Sequence, residues 1–185
     1  MNKNWKSLGT FALALLAPFV AAAIGNVATQ PAIGTWYQAL RKPDWNPPRW
    51  LFGPVWSALY LMMGMASWLV WRKRETTFPW LGIRNEKQQH KVEGALRLYG
   101  VHLIFNALWS VLFFGLHRLD WAFAEVVVLW SLILTTLTRF YRIDARAGWL
   151  LVPYQAWVTF ASILNFTVWR MNRDKVESTV VDLQG

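Results

Sequence analysis

The residues of this sequence best suited to hold a ligand lie on two lines inside apolar segments. The first line has the spacing i, i+4, i+7 and i+11, which is one face of a helix, and consists of His102, Asn106, Trp109 and Phe113. The second has the spacing i, i+4 and i+8 and consists of Trp157, Ala161 and Asn165. Aromatic walls with a few amides are typical of pockets for apolar ligands, and the small Ala161 leaves room for a flat one. The alternative is that the two asparagines only join helices by hydrogen bonds, but the two lines together favour a lined pocket.

Other kinds of chemistry find little support in the sequence. The absence of cysteine excludes disulfides, thiolate metal sites and cysteine nucleophiles. The three histidines, His90, His102 and His117, lack the spacing of metal ligands, and there is no nucleophile–base pair or cofactor fingerprint. We therefore predict no catalytic residue, no metal site and no required cofactor.

The aromatic lines lie within long segments that are almost free of charge, the exception being Glu125. Crossing a membrane takes about 20 apolar residues in a helix. We predict an all-α membrane protein with one domain, 1–172, and spanning helices over 8–28, 50–71, 98–116, 121–138 and 148–169. Barrel strands would alternate polar and apolar residues, which these segments do not. The polar tail, 173–185, is expected to be disordered.

The formal net charge of +9 is carried between the apolar segments and forms no nucleic-acid motif, so we expect no nucleic-acid partner. Twelve Lys and Arg residues fall at the N-terminus, in 72–97 and in 139–146, against seven on the opposite side. This bias predicts a cytoplasmic N-terminus. Helical spans favour a bacterial cell membrane as the location.

The N-terminal segment has two interpretations. Lys3 and Lys6 precede an apolar run ending in three alanines, 21–23, which resembles a cleavable signal peptide. The run continues through Ile24 and Val27, and this favours a retained first helix.

Fourteen tryptophans are present, and many fall near span ends, where indoles sit at the level of lipid headgroups. Trp109, Trp130 and Trp157 lie near the middle of spans, so each indole N–H needs a partner inside the bundle or on a ligand. The first loop, 29–49, carries four prolines and is expected to be rigid, in extended and turn geometry. Asp120 is expected to cap the fourth span.

Several of these segments resemble one known family. The sequences WYQALRKPDWNPP at Trp36–Pro48, FGPVWSALY at Phe52–Tyr60, NALWS at Asn106–Ser110 and PYQAW at Pro153–Trp157 resemble the tryptophan-rich sensory protein / translocator protein family, TspO/MBR. The resemblance covers all five spans in order, about residues 8–172. It implies a five-helix bundle, commonly a homodimer, with the first loop as a lid over a cavity. Such cavities bind porphyrins and other tetrapyrroles, benzodiazepine-type and isoquinoline drugs, and cholesterol in eukaryotic members.

The resemblance and the aromatic lines together give the predicted ligand-binding residues, which are Tyr37, Trp45, Pro47, Phe52, Trp56, His102, Asn106, Trp109, Trp157 and Ala161. Two positions depart from the family. His102 replaces a usual glutamine; it could ligate a metalloporphyrin, but a hydrogen bond inside the bundle is the favoured interpretation. Thr167 stands where the cholesterol motif has its central tyrosine, so specific cholesterol binding is not expected.

The leading hypothesis is a membrane receptor or sensor that binds porphyrins and regulates tetrapyrrole or stress metabolism. A tetrapyrrole or sterol transporter is the second, although the sequence shows no paired broken helices. The third is an enzyme that degrades porphyrin by light-dependent oxidation at Trp56 and Trp157. Glu125, inside the fourth span, is expected to be satisfied by a neighbouring helix rather than to take a proton-linked role.

Overall fold

The chain forms a bundle of long helices joined by short connections. In the computed structural model, which describes residues 3–75 and 86–173, the helices are α1 (Lys3–Ile33), α2 (Trp36–Ala39), α3 (Arg49–Arg72), α4 (Glu86–Ser110), α5 (Leu119–Ile143) and α6 (Ala145–Met171). All but the single turn α2 are long and apolar enough to cross a membrane, and the described residues contain no strand. The prediction of an all-α membrane protein with five spanning helices is confirmed.

The helices are longer than the predicted spans, most clearly at the end of α1. Pro31 was expected in the first loop, but it lies inside α1, which continues to Ile33. Polar side chains support this last stretch locally, since Thr29 Oγ1 donates to the Gly25 carbonyl at 2.8 Å and Gln30 bonds Asn26 at 3.0 Å. Apolar composition therefore marks only the part of a helix that lies in hydrocarbon.

Two further expectations about helix ends need correction. The first loop is not wholly extended, because Trp36–Ala39 forms one helical turn, α2. Asp120 does not cap α5; it lies in the first turn, where Arg118 donates to it at 2.8 and 3.0 Å. Both carboxylate oxygens of Asp120 accept from Arg118, whereas a cap would accept from a backbone N–H of the first turn.

The fourth span is entered through an irregular turn. After Ser110, helix α4 widens into a π-helical turn, Val111–Gly115. His117 follows with a φ of 55°, in the left-handed region, and this reverses the chain into α5. The ring of His117 stacks on Trp36 of α2, with centroids 4.2 Å apart. The turn between α4 and α5 thus supports the start of the first loop.

Small residues set the closest helix approaches. A Cβ added to Gly64 of α3 would lie 2.9 Å from the Leu15 Cα of α1, and one added to Gly25 of α1 would lie 2.9 Å from the Ser110 hydroxyl. α1 therefore packs tightly on α3 and α4. This contact favours its interpretation as a wall of the bundle.

The predicted disordered tail lies outside the described ranges from residue 174 onward.

Candidate ligand-binding site

The seam between α3 and α6 brings four of the predicted residues together. Phe52 of α3 lies 5.9 Å from Trp157 of α6, and one turn deeper Trp56 lies 6.1 Å from Tyr154. From the first loop, Trp45 reaches Phe160 at 5.9 Å, with Phe160 in turn 5.6 Å from Trp157 (all distances between ring centroids). The two helices are antiparallel. One turn forward on α3, from Phe52 to Trp56, therefore meets one turn back on α6, from Trp157 to Tyr154.

Asn106 joins three helices below these rings. Its Oδ1 accepts from the Tyr60 hydroxyl of α3 at 3.1 Å, while its Nδ2 donates to the Tyr154 hydroxyl of α6 at 3.0 Å. Tyr60 also stacks on Trp56 at 5.3 Å. Asn106 therefore fixes the aromatic residues above it. The same hydrogen bonds that join the helices also position the residues that line the site.

A second group of rings lies on α4. Trp109 stacks on Phe113 at 5.0 Å, and Phe113 faces Tyr37 of α2 at 6.2 Å. The Trp109 indole donates to Asn165 Oδ1 at 3.2 Å, and Asn165 donates to the Leu119 carbonyl at 3.1 Å. The indole thus has the buried partner that its position requires.

Trp109 connects the two groups, since it packs against the buried cluster on which Trp56 and Trp157 also pack and against the one that includes Tyr37 and Phe113. We call the following rings the aromatic compartment: Tyr37, Phe52, Trp56, Trp109, Trp157 and Phe160. Two predicted residues, Ala161 and Pro47, make no ring contact with it. Ala161 is half-buried on α6, and Pro47 is half-buried in the loop, where its carbonyl accepts from Asn46.

The first loop is held over the compartment by hydrogen bonds. The Tyr37 hydroxyl donates to Asn46 Oδ1 at 3.1 Å, and the Lys42 ammonium donates to the carbonyls of Tyr37 and Leu40 at 2.6 and 2.8 Å. Burial, partly offset by the bond to Asn46, raises the pKa of the Tyr37 phenol above its ordinary value. The hydroxyl therefore stays a neutral donor at any physiological pH.

Asn172, directly after α6, ties the loop to the end of the bundle. Its Oδ1 accepts from the Arg41 amide at 3.0 Å, and its Nδ2 donates to the Arg41 carbonyl at 2.9 Å and to the Val168 carbonyl at 2.8 Å. This side chain is buried although it follows the last span. It clamps the lid to α6.

His102 lies deeper than the compartment and is fully buried. Its Nδ1 is 3.2 Å from the Thr136 hydroxyl of α5, and its ring packs against Tyr99 and Tyr154 at 4.9 and 5.8 Å. The hydrogen-bonded interpretation is met at Nδ1 alone, since the buried Nε2 has no hydrogen-bond partner among the described residues. The imidazole lies behind Tyr154 and makes no ring contact with the residues of the compartment.

The structure contradicts the prediction that a neighbouring helix satisfies Glu125. Its side chain is 7% exposed, yet neither carboxyl oxygen has a hydrogen-bond partner among the described residues. The nearest residues on the same face of α5, Ala122 and Leu129, are buried and apolar and offer the carboxyl no partner either. Within the part of the chain that the structure describes, no neighbouring helix satisfies this acid.

The other two mid-span tryptophans, Trp130 and Trp157, differ in the contacts of their indoles. Trp130 donates to the Thr159 hydroxyl at 2.8 Å and so finds a partner on α6. Trp157 is half-buried and contacts rings only through Phe52 and Phe160 among the described residues. Part of the Trp157 indole is thus left uncovered by the bundle.

An apolar groove of about 410 Å³ lies elsewhere, between α1 and α4. Its lining includes Ala17, Ala21 and Ala107 at the seam and exposed side chains such as Ile24 and Ile104. None of the ten predicted site residues borders it. The groove is therefore separate from the aromatic compartment.

Four residues of the site were not predicted: Tyr60, Tyr154, Phe160 and Asn172. Tyr60 follows Trp56 by four residues and Tyr154 precedes Trp157 by three, so helical spacing could have found both. Asn172 carries no comparable signal, because its partner is 131 residues away.

Comparisons with known proteins show a consistent family similarity along the chain. The sequence profile of the TspO/MBR family matches residues 14–170. Protein CrtK of Rhodobacter capsulatus is 39% identical over 166 residues, covering 90% of this chain and 94% of CrtK. The tryptophan-rich sensory protein of Cereibacter sphaeroides is 36% identical over 181 residues, covering 96% and 99%. The translocator protein of Homo sapiens is 36% identical over 157 residues, covering 85% and 86%.

Proposed function

Because the chain belongs to the TspO/MBR family and has five membrane-spanning helices, we propose that it is a multi-pass membrane receptor for porphyrins and related flat tetrapyrroles. In this proposal the aromatic compartment is the binding site and the first loop is its lid. Binding would report tetrapyrrole levels to stress or pigment metabolism. Relatives named as sensory and translocator proteins support a sensing or translocating role.

The observation that carries the proposal is the pair of indoles on the α3–α6 seam. Trp56 and Trp157 are half-buried, lie one turn apart across the seam and sit beneath the clamped loop. A porphyrin is a large flat π-system, and stacking against indoles with apolar burial is a physically suitable way to hold it. The hydrogen bonds of Asn106 keep the walls in place before the ligand arrives.

The test is a titration of the protein in lipid nanodiscs with protoporphyrin IX, followed by quenching of tryptophan fluorescence. We expect saturable binding that weakens about tenfold, or about 1.4 kcal/mol, in Trp56→Ala and in Trp157→Ala. Trp149→Ala is the matched control, because Trp149 lies on the same helix as Trp157 but is 64% exposed. This variant should bind as the parent does.

The proposal fails if the parent shows no saturation, or if Trp157→Ala and Trp149→Ala bind alike. Loss of the porphyrin spectrum under light would instead favour the degrading enzyme, and protein-dependent flux into sealed vesicles would favour the transporter. The mass of the protein in the same nanodiscs also tests the homodimer that we propose from the family resemblance.

A further inference from the structure

Glu125 is a carboxylic acid inside the spanning part of α5 without a partner among the described residues. It is more than nine-tenths buried, and both of its oxygens are unbonded there. A buried carboxylate without a hydrogen bond or counter-ion is costly in an apolar surrounding. The group must therefore hold a proton, or meet a partner that comes from outside the chain.

The neighbouring helices bring no fixed cation to this depth. α3 and α6 carry arginines only at their ends, and α4 has no Lys or Arg after Arg97. His102 meets Thr136, which is eleven residues and about 16 Å further along α5 than Glu125. The other titratable groups facing the interior are hydroxyls, which carry no positive charge: Tyr37, Tyr60, Tyr99 and Tyr154.

Two contacts between α5 and α6 bracket the carboxyl. The Trp130 indole bonds the Thr159 hydroxyl, and the Asn165 amide bonds the Leu119 carbonyl. Glu125 lies between Trp130 and Leu119 in the chain, so it is level with the part of α6 between those two contacts.

That part of α6 contains Phe160, a ring of the aromatic compartment, followed by the small Ala161. On the other side, Glu125 lies three turns before Thr136, which meets His102 on α4. The antiparallel register therefore sets Glu125 opposite the π-helical turn Val111–Gly115, an irregularity frequent at functional sites. The acid is thus placed at the level of the compartment, on a helix that supplies none of the predicted site residues.

Resting on the proposed function, we propose that Glu125 is the polar anchor of the compartment, a neutral carboxylic acid that hydrogen-bonds the ring nitrogens of the ligand. A neutral carboxyl donates through its O–H and accepts through its carbonyl. The core of a free-base porphyrin offers both matching groups, N–H and imine nitrogen. The ligand class is therefore a flat apolar ring system with donor and acceptor nitrogens at its centre.

The experiment compares free-base protoporphyrin IX with zinc protoporphyrin, in which the metal occupies the four nitrogens. The parent should bind the free base about tenfold more tightly. Glu125→Leu should weaken free-base binding about tenfold and leave zinc porphyrin unchanged, which removes the preference. Glu125→Gln, which still donates and accepts, should keep part of it, and Asp120→Asn, an acid at the surface of the same helix, should keep all of it.

A parent that prefers the zinc form, or a Glu125→Leu variant that keeps the parent's preference, overturns the anchor role while porphyrin binding stands. A parent that binds neither form overturns the proposed function and this inference with it. Infrared spectra of the ligand-free protein at neutral pH give a second readout, since a protonated carboxyl band should appear in the parent and vanish in Glu125→Gln. Absence of that band in the parent overturns the neutral acid. Helicity and monodispersity of each variant establish that it is folded.

Discussion

Three asparagines do most of the connecting at the scale of single residues. Asn106 joins α3 to α6, Asn165 joins α4 to the start of α5, and Asn172 joins the first loop to α6. An amide both donates and accepts, so one side chain can satisfy two groups in a surrounding without water. The same residues that organise the site therefore also hold the bundle together.

Asn165→Leu should destabilise the protein by about 1–3 kcal/mol, because it leaves the Trp109 indole and the Leu119 carbonyl without their partner. Unfolding by sodium dodecyl sulfate in mixed micelles measures the loss. Trp109→Phe in the Asn165→Leu background removes the orphaned N–H, so the double variant should be more stable than the sum of the single changes implies. Strict additivity would contradict a direct bond between the two side chains.

At the scale of elements, the hairpin of α5 and α6 is the tightest connection. Asp144 alone separates the two helices; its carboxylate accepts from the Arg146 amide at 3.0 Å and pairs with Lys73 at 3.6 Å. A Cβ on Gly148 would lie 2.5 Å from the Tyr141 Cβ and 2.8 Å from its Cα. Glycine is required at 148 because the first turn of α6 rests directly on the end of α5.

Gly148→Ala should therefore destabilise the fold by about 1–3 kcal/mol, as overpacking of a closed contact does. Gly94→Ala is the control, since nothing lies within 4 Å of a Cβ at Gly94 of α4. That substitution should raise stability by about 0.5–1 kcal/mol through helix propensity. Thermal unfolding of the two variants in the same detergent gives the comparison, and equal effects would refute the steric argument.

The number and order of the helices could be predicted from the sequence. Charged side chains are costly in hydrocarbon, so long segments without charge mark the spans. Helix ends do not follow, since they depend on local bonds such as Thr29 to Gly25 and on the ion pair of Arg118 with Asp120. The aromatic lines of the site could be predicted from spacing within one helix. The clamp by Asn172 could not, because only the folded chain brings it to Arg41.

For the whole molecule, orientation in the membrane remains a prediction from the charge bias. Leu116 and Ala145 are exposed at opposite ends of α5, and the chain has no cysteine, so single cysteines can be placed there without background. In intact bacterial cells a membrane-impermeant maleimide should label Leu116→Cys, but should label Ala145→Cys only after lysis. The reverse pattern would mean that the N-terminus faces outward.

The clamp formed by Asn172 has a consequence for biosynthesis. The residue that fastens the lid follows the last helix, so helices α1 to α6 have all been synthesised before Asn172 is made. Until translation reaches that point, the Arg41 backbone lacks these two bonds and the loop cannot be fixed to the bundle. The compartment is therefore the last part of the molecule to be completed, and a chain that stops short of residue 172 would have its helices but an unfastened lid.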